Sequence, residues 1–293
     1  MKMVKYLFFK GCSIPTKLPN VEKLALEVLP EIGIELKETD QFSCCPDPIQ
    51  LQGANQLFWY AAAARNLAIA EEQGMNILTL CNGCLNTLSI VNHKLKNNPE
   101  RKKKVNEILK EVGKEFKGTI EVKHLMQVLK DEIGMENLKK KVKTPLKNLK
   151  VAGHPGCHLL MPEEILKFDD ELDPHVYDDF IEALGATAID YITKIDCCGS
   201  SLTLAGAKDA TNELLKKKIL DIRSSNADVI STACPFCFIQ FDTGQLIASR
   251  EIPELKDNKI PSLYAVELLA LAMGKNLKDI GYDTHKIKGE IKV

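Results

Sequence analysis

Ten cysteines carry most of the chemistry open to this chain, and they fall into two equal sets. The first set is Cys12, the adjacent Cys44 and Cys45, and the motif Cys81-Asn82-Gly83-Cys84. The second is Cys157, the adjacent Cys197 and Cys198, and Cys234-Pro235-Phe236-Cys237. In both, 36 positions separate the second cysteine of the pair from the CxxC motif, and a glycine (Gly11, Gly156) precedes the first cysteine. A CxxC motif at a helix start lets two sulfurs share a metal while the helix N-terminus favours thiolate. Taken alone, Cys234–Cys237 with proline in second place also reads as a thioredoxin-like redox dithiol. Adjacent cysteines on an extended chain point apart, so each pair suits a turn, or a group with several irons, better than a single ion. Soft thiolates select zinc or iron–sulfur clusters. Zinc takes four ligands whereas each set offers five, and a multi-iron cluster can use the fifth, for example as a bridge. Iron–sulfur is the better reading.

The elements that must hold these cysteines repeat as well. Helical patterns over Asn55–Gln73 and Ala207–Ser224 lead into short apolar strands, Asn76–Leu80 and Asp228–Ala233, each ending on a CxxC motif. A glycine (Gly33, Gly185) and a strand, Ile34–Glu38 or Ala186–Tyr191, precede each cysteine pair. Ile120–Leu129 and Ile260–Leu269 both read as a strand running into a helix. Alternation of this kind predicts an α/β fold: two tandem units related by a pseudo-two-fold, each a small, mostly parallel sheet flanked by helices. Every cysteine then falls beyond the carboxyl end of a strand, where ligands gather in such sheets. The basic segment Leu138–Leu149, broken by Pro145, is the expected linker, giving units 1–146 and 147–293.

Composition narrows the class. Apolar residues make up 45% and charged residues 27%, as in a globular protein, and 39 Lys+Arg against 40 Asp+Glu argue against a nucleic-acid partner. No apolar run approaches the roughly 20 residues of a membrane span. Met1–Phe9 lacks the long apolar region and cleavage site of a signal peptide and reads as a first strand, so the expected location is cytoplasmic. In that compartment ten cysteines point to metal or redox chemistry instead of structural disulfides.

The segments Phe8-Phe9-Lys10-Gly11-Cys12, Cys44-Cys45-Pro46-Asp47-Pro48, Cys81-Asn82-Gly83-Cys84 and Cys197-Cys198-Gly199 resemble the cysteine-rich CCG domain family. With two copies spanning essentially the whole chain, the sequence is similar to the family of B-type heterodisulfide reductase subunits of methanogenic archaea. The resemblance implies two noncubane [4Fe–4S] clusters, each held by five cysteines, and reduction of the mixed disulfide of coenzyme M and coenzyme B. It further implies electrons from a ferredoxin-like C-type subunit, fed by a flavin-containing A-type subunit. That relay agrees with two absences: the chain has neither the cysteine run of a ferredoxin cubane nor a G-x-G-x-x-G nucleotide loop. Two sites facing each other across the unit interface, each giving one electron and taking one substrate sulfur, would match a two-electron cleavage. A fumarate- or lactate-linked electron-transfer subunit and a zinc scaffold are the rival readings.

The two sets differ in their neighbours. Proline follows the first pair and glycine the second; Gly199 can take φ > 0 whereas Pro46 is held near −65°, so the loops should differ, leaving room for zinc at the first site. His154 and His158 bracket Cys157, where the first copy has Phe9 and Ser13. His154 is the candidate for a hydrogen bond to a cluster sulfur or for proton donation to a product thiolate. Lys10 is the candidate for attracting an anionic substrate. Ala61–Ala64 reads as helix packing, and the lysine-rich 101–117 stretch as a solvated helix face.

Overall fold

The run Val4-Lys5-Tyr6-Leu7-Phe8-Phe9 is aromatic and apolar without a polar alternation, the pattern of a strand covered on both faces. In the computed structural model, which describes residues 3–292, it is the central strand β1, Val4–Phe9, with Tyr6 to Phe9 all buried. Met1 and Lys2, the start of the expected first strand, and Val293 lie outside the described residues. β2 (Ile34–Lys37), β3 (Ile77–Thr79) and β4 (Val122–His124) complete a parallel sheet of order β2-β1-β3-β4. The second sheet repeats it with β5 (Lys150–His154), β6 (Thr187–Ala188), β7 (Val229–Thr232) and β8 (Ser262–Tyr264), in the order β6-β5-β7-β8. The fold is α/β, two all-parallel sheets flanked by helices.

In each sheet the chain runs first to one side of the opening strand and then to the other. That reversal opens a crevice at the carboxyl ends of β1 and β3, and of β5 and β7, the place where such sheets bind ligands. β6 is shorter than the expected Ala186–Tyr191. After Ile189 N–H donates to Val151 O, the chain turns so that the buried Tyr191 can give its hydroxyl to Gly153 O at 3.1 Å.

One continuous apolar core runs through both sheets. The helix Ala265–Ala272, after β8, packs on the helix Pro19–Val28, after β1. The segment expected to be a linker is built into this core: Leu138, Leu146 and Leu149 are buried, and Lys143 and Thr144 N–H both donate to Ala272 O. The helix Gln56–Glu72 is capped by Asn55, whose Oδ1 accepts from Phe58 N–H at 3.0 Å, and its small alanines let it lie close to its neighbours. The helix Pro99–Lys110 buries only Val105 and Leu109, which leaves its lysines in solvent. Among the described residues no helix is long and apolar enough to cross a membrane.

Candidate metal centres

Each cysteine leaves the carboxyl end of a strand. Cys12 and Cys157 follow β1 and β5 through Gly11 (φ +67°) and Gly156 (φ +82°). A Cβ on Gly11 would stand 2.8 Å from Cys84 Sγ, and one on Gly156 2.7 Å from Asn82 Nδ2, so both backbone conformation and space demand glycine. Cys81 and Cys234 are the extended N-cap residues of the helices Asn82–Lys96 and Pro235–Ile239. The Cys44–Cys45 loop is held by Asn66, whose Nδ2 donates to Cys44 O at 3.0 Å and whose Oδ1 accepts from Ser43 N–H at 2.9 Å. Thr87 Oγ1 donates to Pro46 O at 2.8 Å. In the second loop Gly199 has φ +83°, and its N–H points at Cys197 Sγ at 3.3 Å. The helix after the pair starts at Ser200 there, but only at Gln50 in the first half, where Asp47 Oδ1 caps the longer turn by accepting from Ile49 and Gln50 N–H.

The sulfurs form one line. Cys12 faces Cys44, Cys44 faces Cys45, Cys45 lies 3.2 Å from Cys84, and Cys84 faces Cys81. On the other side Cys157 faces Cys197, followed by Cys198, Cys237 and Cys234. Cys81 and Cys234 face each other and join the two lines at the centre. All ten are free thiols; Cys12 and Cys44 are exposed, Cys157 and Cys197 half-buried, and the inner six buried. Each set lines its own cavity, about 400 Å³ for the first and about 510 Å³ for the second, open space at the mouth included. Asp47, Pro48, Gly83 and Phe236 line both, so the cavities share a wall made by the two halves together.

Such crowding divides the thiols. Cys45 is drawn down to about 5 by its neighbours Cys44 and Cys84, and Cys234 is drawn down by Cys237 and Cys81. The neighbours that do this, Cys84 and Cys237, are themselves pushed up. Thiols in contact cannot all ionise without added positive charge. A group with several irons supplies that charge and takes soft sulfur donors, so the two five-sulfur sets fit iron–sulfur groups.

Residues other than the cysteines tie the halves together at the same place. His124 ends β4 and Tyr264 ends β8, in matching register with Thr79 and Thr232. Met126 N–H donates to His124 Nδ1 at 3.1 Å, which leaves the proton on Nε2 to be donated to Ala233 O, 3.1 Å away and next to Cys234. Burial pulls His124 down to about 4 and keeps it neutral. Tyr264 hydroxyl donates to Leu80 O, next to Cys81. Asn82 Nδ2 donates to Pro155 O at 2.7 Å. Asn82 sits inside the first CxxC motif, but no motif marks His124 or Tyr264 as a clamp; the only signal for those two is that they occupy equivalent strand ends.

The other candidates fall in different surroundings. His154 lies wholly buried behind the second cavity, with neither ring nitrogen hydrogen-bonded, and donor atoms of His154, Cys198 and Cys237 lie within 4.8 Å of one another. Burial first, then Lys218, pulls it down to about 3, so it is neutral and holds no spare proton for a product thiolate. His158, in contrast, lines the second cavity. Lys10 lines the first, but its ammonium is held by Glu22 (2.6 Å) and Glu38 (2.5 Å), and the trio carries net negative charge. Lys218, likewise unmarked by any motif, is fully buried and donates to Thr193 O. It is hidden in a run of three lysines, although Leu215, Ile219 and Ile222 mark its side of the helix as the buried one.

Fold and cysteine geometry together define the class. The model of the CCG cysteine-rich domain matches residues 6–89 and 151–242, and the chain belongs to that family. It is 38% identical over 287 residues, 98% of this chain and 95% of the relative, to the B-type subunit of the ferredoxin/F420H2-dependent CoB-CoM heterodisulfide reductase of Methanosarcina acetivorans. It is 33% identical over 97% of both chains to the 8-methylmenaquinol:fumarate reductase membrane anchor subunit of Wolinella succinogenes. The crystal structure of a hypothetical protein from Helicobacter pylori superposes with a TM-score of 0.73 at 19% identity, covering 98% of this chain and 52% of that one, and shows the fold alone.

Proposed function

We propose that this chain is the disulfide-reducing subunit of a multi-subunit reductase, with the coenzyme M–coenzyme B heterodisulfide as substrate. The observation that carries the reading is the shared wall between two five-cysteine cavities, which supports one small molecule meeting both sites. Cys12, Cys44, Cys45, Cys81 and Cys84 would hold one noncubane [4Fe–4S] cluster, and Cys157, Cys197, Cys198, Cys234 and Cys237 the other, one in each of the units 1–146 and 147–293. When bound, such groups supply single electrons and iron sites with affinity for sulfur. The chain's own part is positional. Pro48 and Phe236 give the shared wall an apolar surface, and the cross-half bonds of His124, Tyr264 and Asn82 tie the two sites together. His158, at the second cavity, is better placed than His154 to pass a proton to a departing thiolate. We assign His154 to holding a sulfur by hydrogen bond. Lys10 can serve an anionic substrate only by leaving Glu22 or Glu38. A ferredoxin-like subunit, itself served by a flavin subunit, would deliver the electrons. The identity to the Wolinella fumarate reductase subunit favours a second reading, in which the same sites pass electrons to a partner that reduces an organic acid.

Protein purified without oxygen should hold about eight irons per chain, four to a site. With a reduced ferredoxin-like donor it should cleave the mixed disulfide. Cys84→Ser and Cys237→Ser should each remove about half the iron and abolish turnover. Four irons and one zinc, or turnover that survives either substitution, would overturn the two-site reading; fumarate-dependent oxidation without disulfide cleavage would favour the second.

A further inference from the structure

A lysine with no exposed surface needs a nearby negative charge, because an isolated buried ammonium is costly. Lys218 is fully buried, and among the described residues no carboxylate pairs with it. Asp196, the carboxylate that acts on it most strongly, is paired at 2.8 Å with the neighbouring Lys217. Lys218 Nζ is held by Thr193 O, 5.4 Å from the centre of the Tyr191 ring, and the Tyr191 hydroxyl in turn holds Gly153 O, beside His154. Beyond Gly153, donor atoms of His154, Cys198 and Cys237 lie within 4.8 Å of one another, which brings the second cysteine set up to this buried cation. His154, with both nitrogens unpartnered, stands between: the point where a Cβ on Gly156 would sit is 3.7 Å from its Nε2 and 3.5 Å from Cys237 Sγ.

The first site has no such floor. Phe9 stands where His154 would be and packs against Phe42 at 4.9 Å. Arg65 matches Lys218, each 16 positions before its CxxC motif, but it reaches outward to Gln41 O and Ser43 Oγ near the surface, where water screens it.

We propose that Lys218 is the counter-charge of the second cysteine set and, with His154 donating to a sulfur, gives the group bound there a higher reduction potential than that at the first. The inference rests on the iron–sulfur reading above. Reduction adds one electron, and with it one negative charge, to a site; a fixed cation and a hydrogen bond to sulfur favour the reduced form. Water reaching Cys12 and Cys44 acts in the same direction at the first site, but on two sulfurs of five, whereas Lys218 acts through protein with little screening. On stepwise reduction the second site therefore fills first.

The test is a dye-mediated redox titration of the full, anaerobically purified chain, read by electron paramagnetic resonance. Cys157→Ser identifies which signal belongs to the second site. The second site should be reduced first in the wild type. Lys218→Met should lower its reduced-to-oxidised ratio at fixed potential at least tenfold, ~59 mV for one electron, with the first site unmoved. His154→Phe, which installs the side chain the first half already tolerates, should shift it the same way by less. Wild-type sites that titrate together, or a first site reduced before the second, overturn the proposal, as does a Lys218→Met protein with unchanged potentials. Should Lys218→Met fail to keep its iron, the wild-type order and His154→Phe still decide. Iron-free protein overturns the functional reading and this inference together; iron-loaded protein without the expected order overturns this inference alone.

Discussion

The two cysteine sites share one skeleton and differ in nearly everything around it. Both draw a cysteine, a pair and a CxxC motif from equivalent strand ends, and the lines of sulfur meet at Cys81 and Cys234. Beyond the sulfurs, Pro46 in the first half corresponds to Gly199 in the second, Phe9 to His154, and the half-exposed Arg65 to the buried Lys218. Identical donors in unlike surroundings should differ in potential, exposure and local stability while binding the same kind of group. The donors answer to the metal, and the surroundings are free to divide the labour.

The sharpest way to break this comparison is to exchange the residue after each pair. Gly199 sits at φ +83°, where proline cannot go, its N–H points at Cys197 Sγ, and a Cβ there would stand 3.3 Å from Thr211 O. Gly199→Pro should therefore cost about 3 kcal/mol or more and release the second site's iron. Pro46→Gly asks only for more freedom in the unfolded chain and should cost no more than about 1 kcal/mol. Urea melts with iron analysis check both. Equal losses would mean that the loops are interchangeable and their difference incidental.

A second comparison tests two of the cross-half bonds. Tyr264→Phe leaves Leu80 O without its donor, and His124→Phe does the same to Ala233 O; both carbonyls lie in the buried seam beside the central cysteines. Each loss should cost about 1–3 kcal/mol, the usual penalty of stranding a buried polar group. Similar costs by thermal or denaturant melting would mark the two residues as equivalent clamps. A negligible cost for either would show that its bond is not one of the contacts that hold the seam.

Strands and cysteine motifs are legible in the sequence because their signals are local. Apolar runs such as Val4–Phe9, glycines at Gly11 and Gly156, and equal spacings all lie within a few residues of what they build. The partners of those elements are not. That Cys81 meets Cys234, or that His124 reaches Ala233, depends on how two sheets face each other, which no periodicity records. Lys10 stands out for lying beside Gly11-Cys12, yet its carboxylate partners Glu22 and Glu38 come from the following helix and the end of the β2 region. Lys218 escapes for the opposite reason: a lysine among lysines reads as solvated until the helix is turned and its apolar neighbours are counted.

The smallest expected effect concerns how each half caps the helix after its last strand. In the first half the cap is neutral: Gln127 Oε1 accepts from His124 N–H at 2.8 Å, and its Nε2 donates to Leu166 O at 2.7 Å. In the second half Glu267 takes the same place, accepting from Tyr264 N–H at 2.7 Å, from Asn20 Nδ2 at 2.6 Å and from His285 Nε2 at 3.1 Å. His285 Nδ1 faces Ser262 O at 3.1 Å, so both ring nitrogens meet acceptors, and the ring fits best as the doubly protonated cation. Burial alone would lower its pKa, but the hydrogen bond and charge of Glu267, helped by Asp242, raise it. A histidine whose pKa is higher folded than unfolded adds stability that is complete below the unfolded value, about 6.5, and is lost as pH rises through the folded value. Stability should therefore decline upward from about pH 6.5 with a one-proton slope, at most ~1.4 kcal/mol per pH unit. His285→Gln, which can still donate to Glu267 but does not titrate, should remove that component of the slope. Because Gln127 and its partners carry no charge, Gln127→Ala should leave the slope as it was while lowering stability at every pH. Urea melts between pH 6 and pH 9 on the three proteins check this. A slope that survives His285→Gln unchanged would place the proton elsewhere, and the neutral and ionic caps would then be equivalent in all but composition.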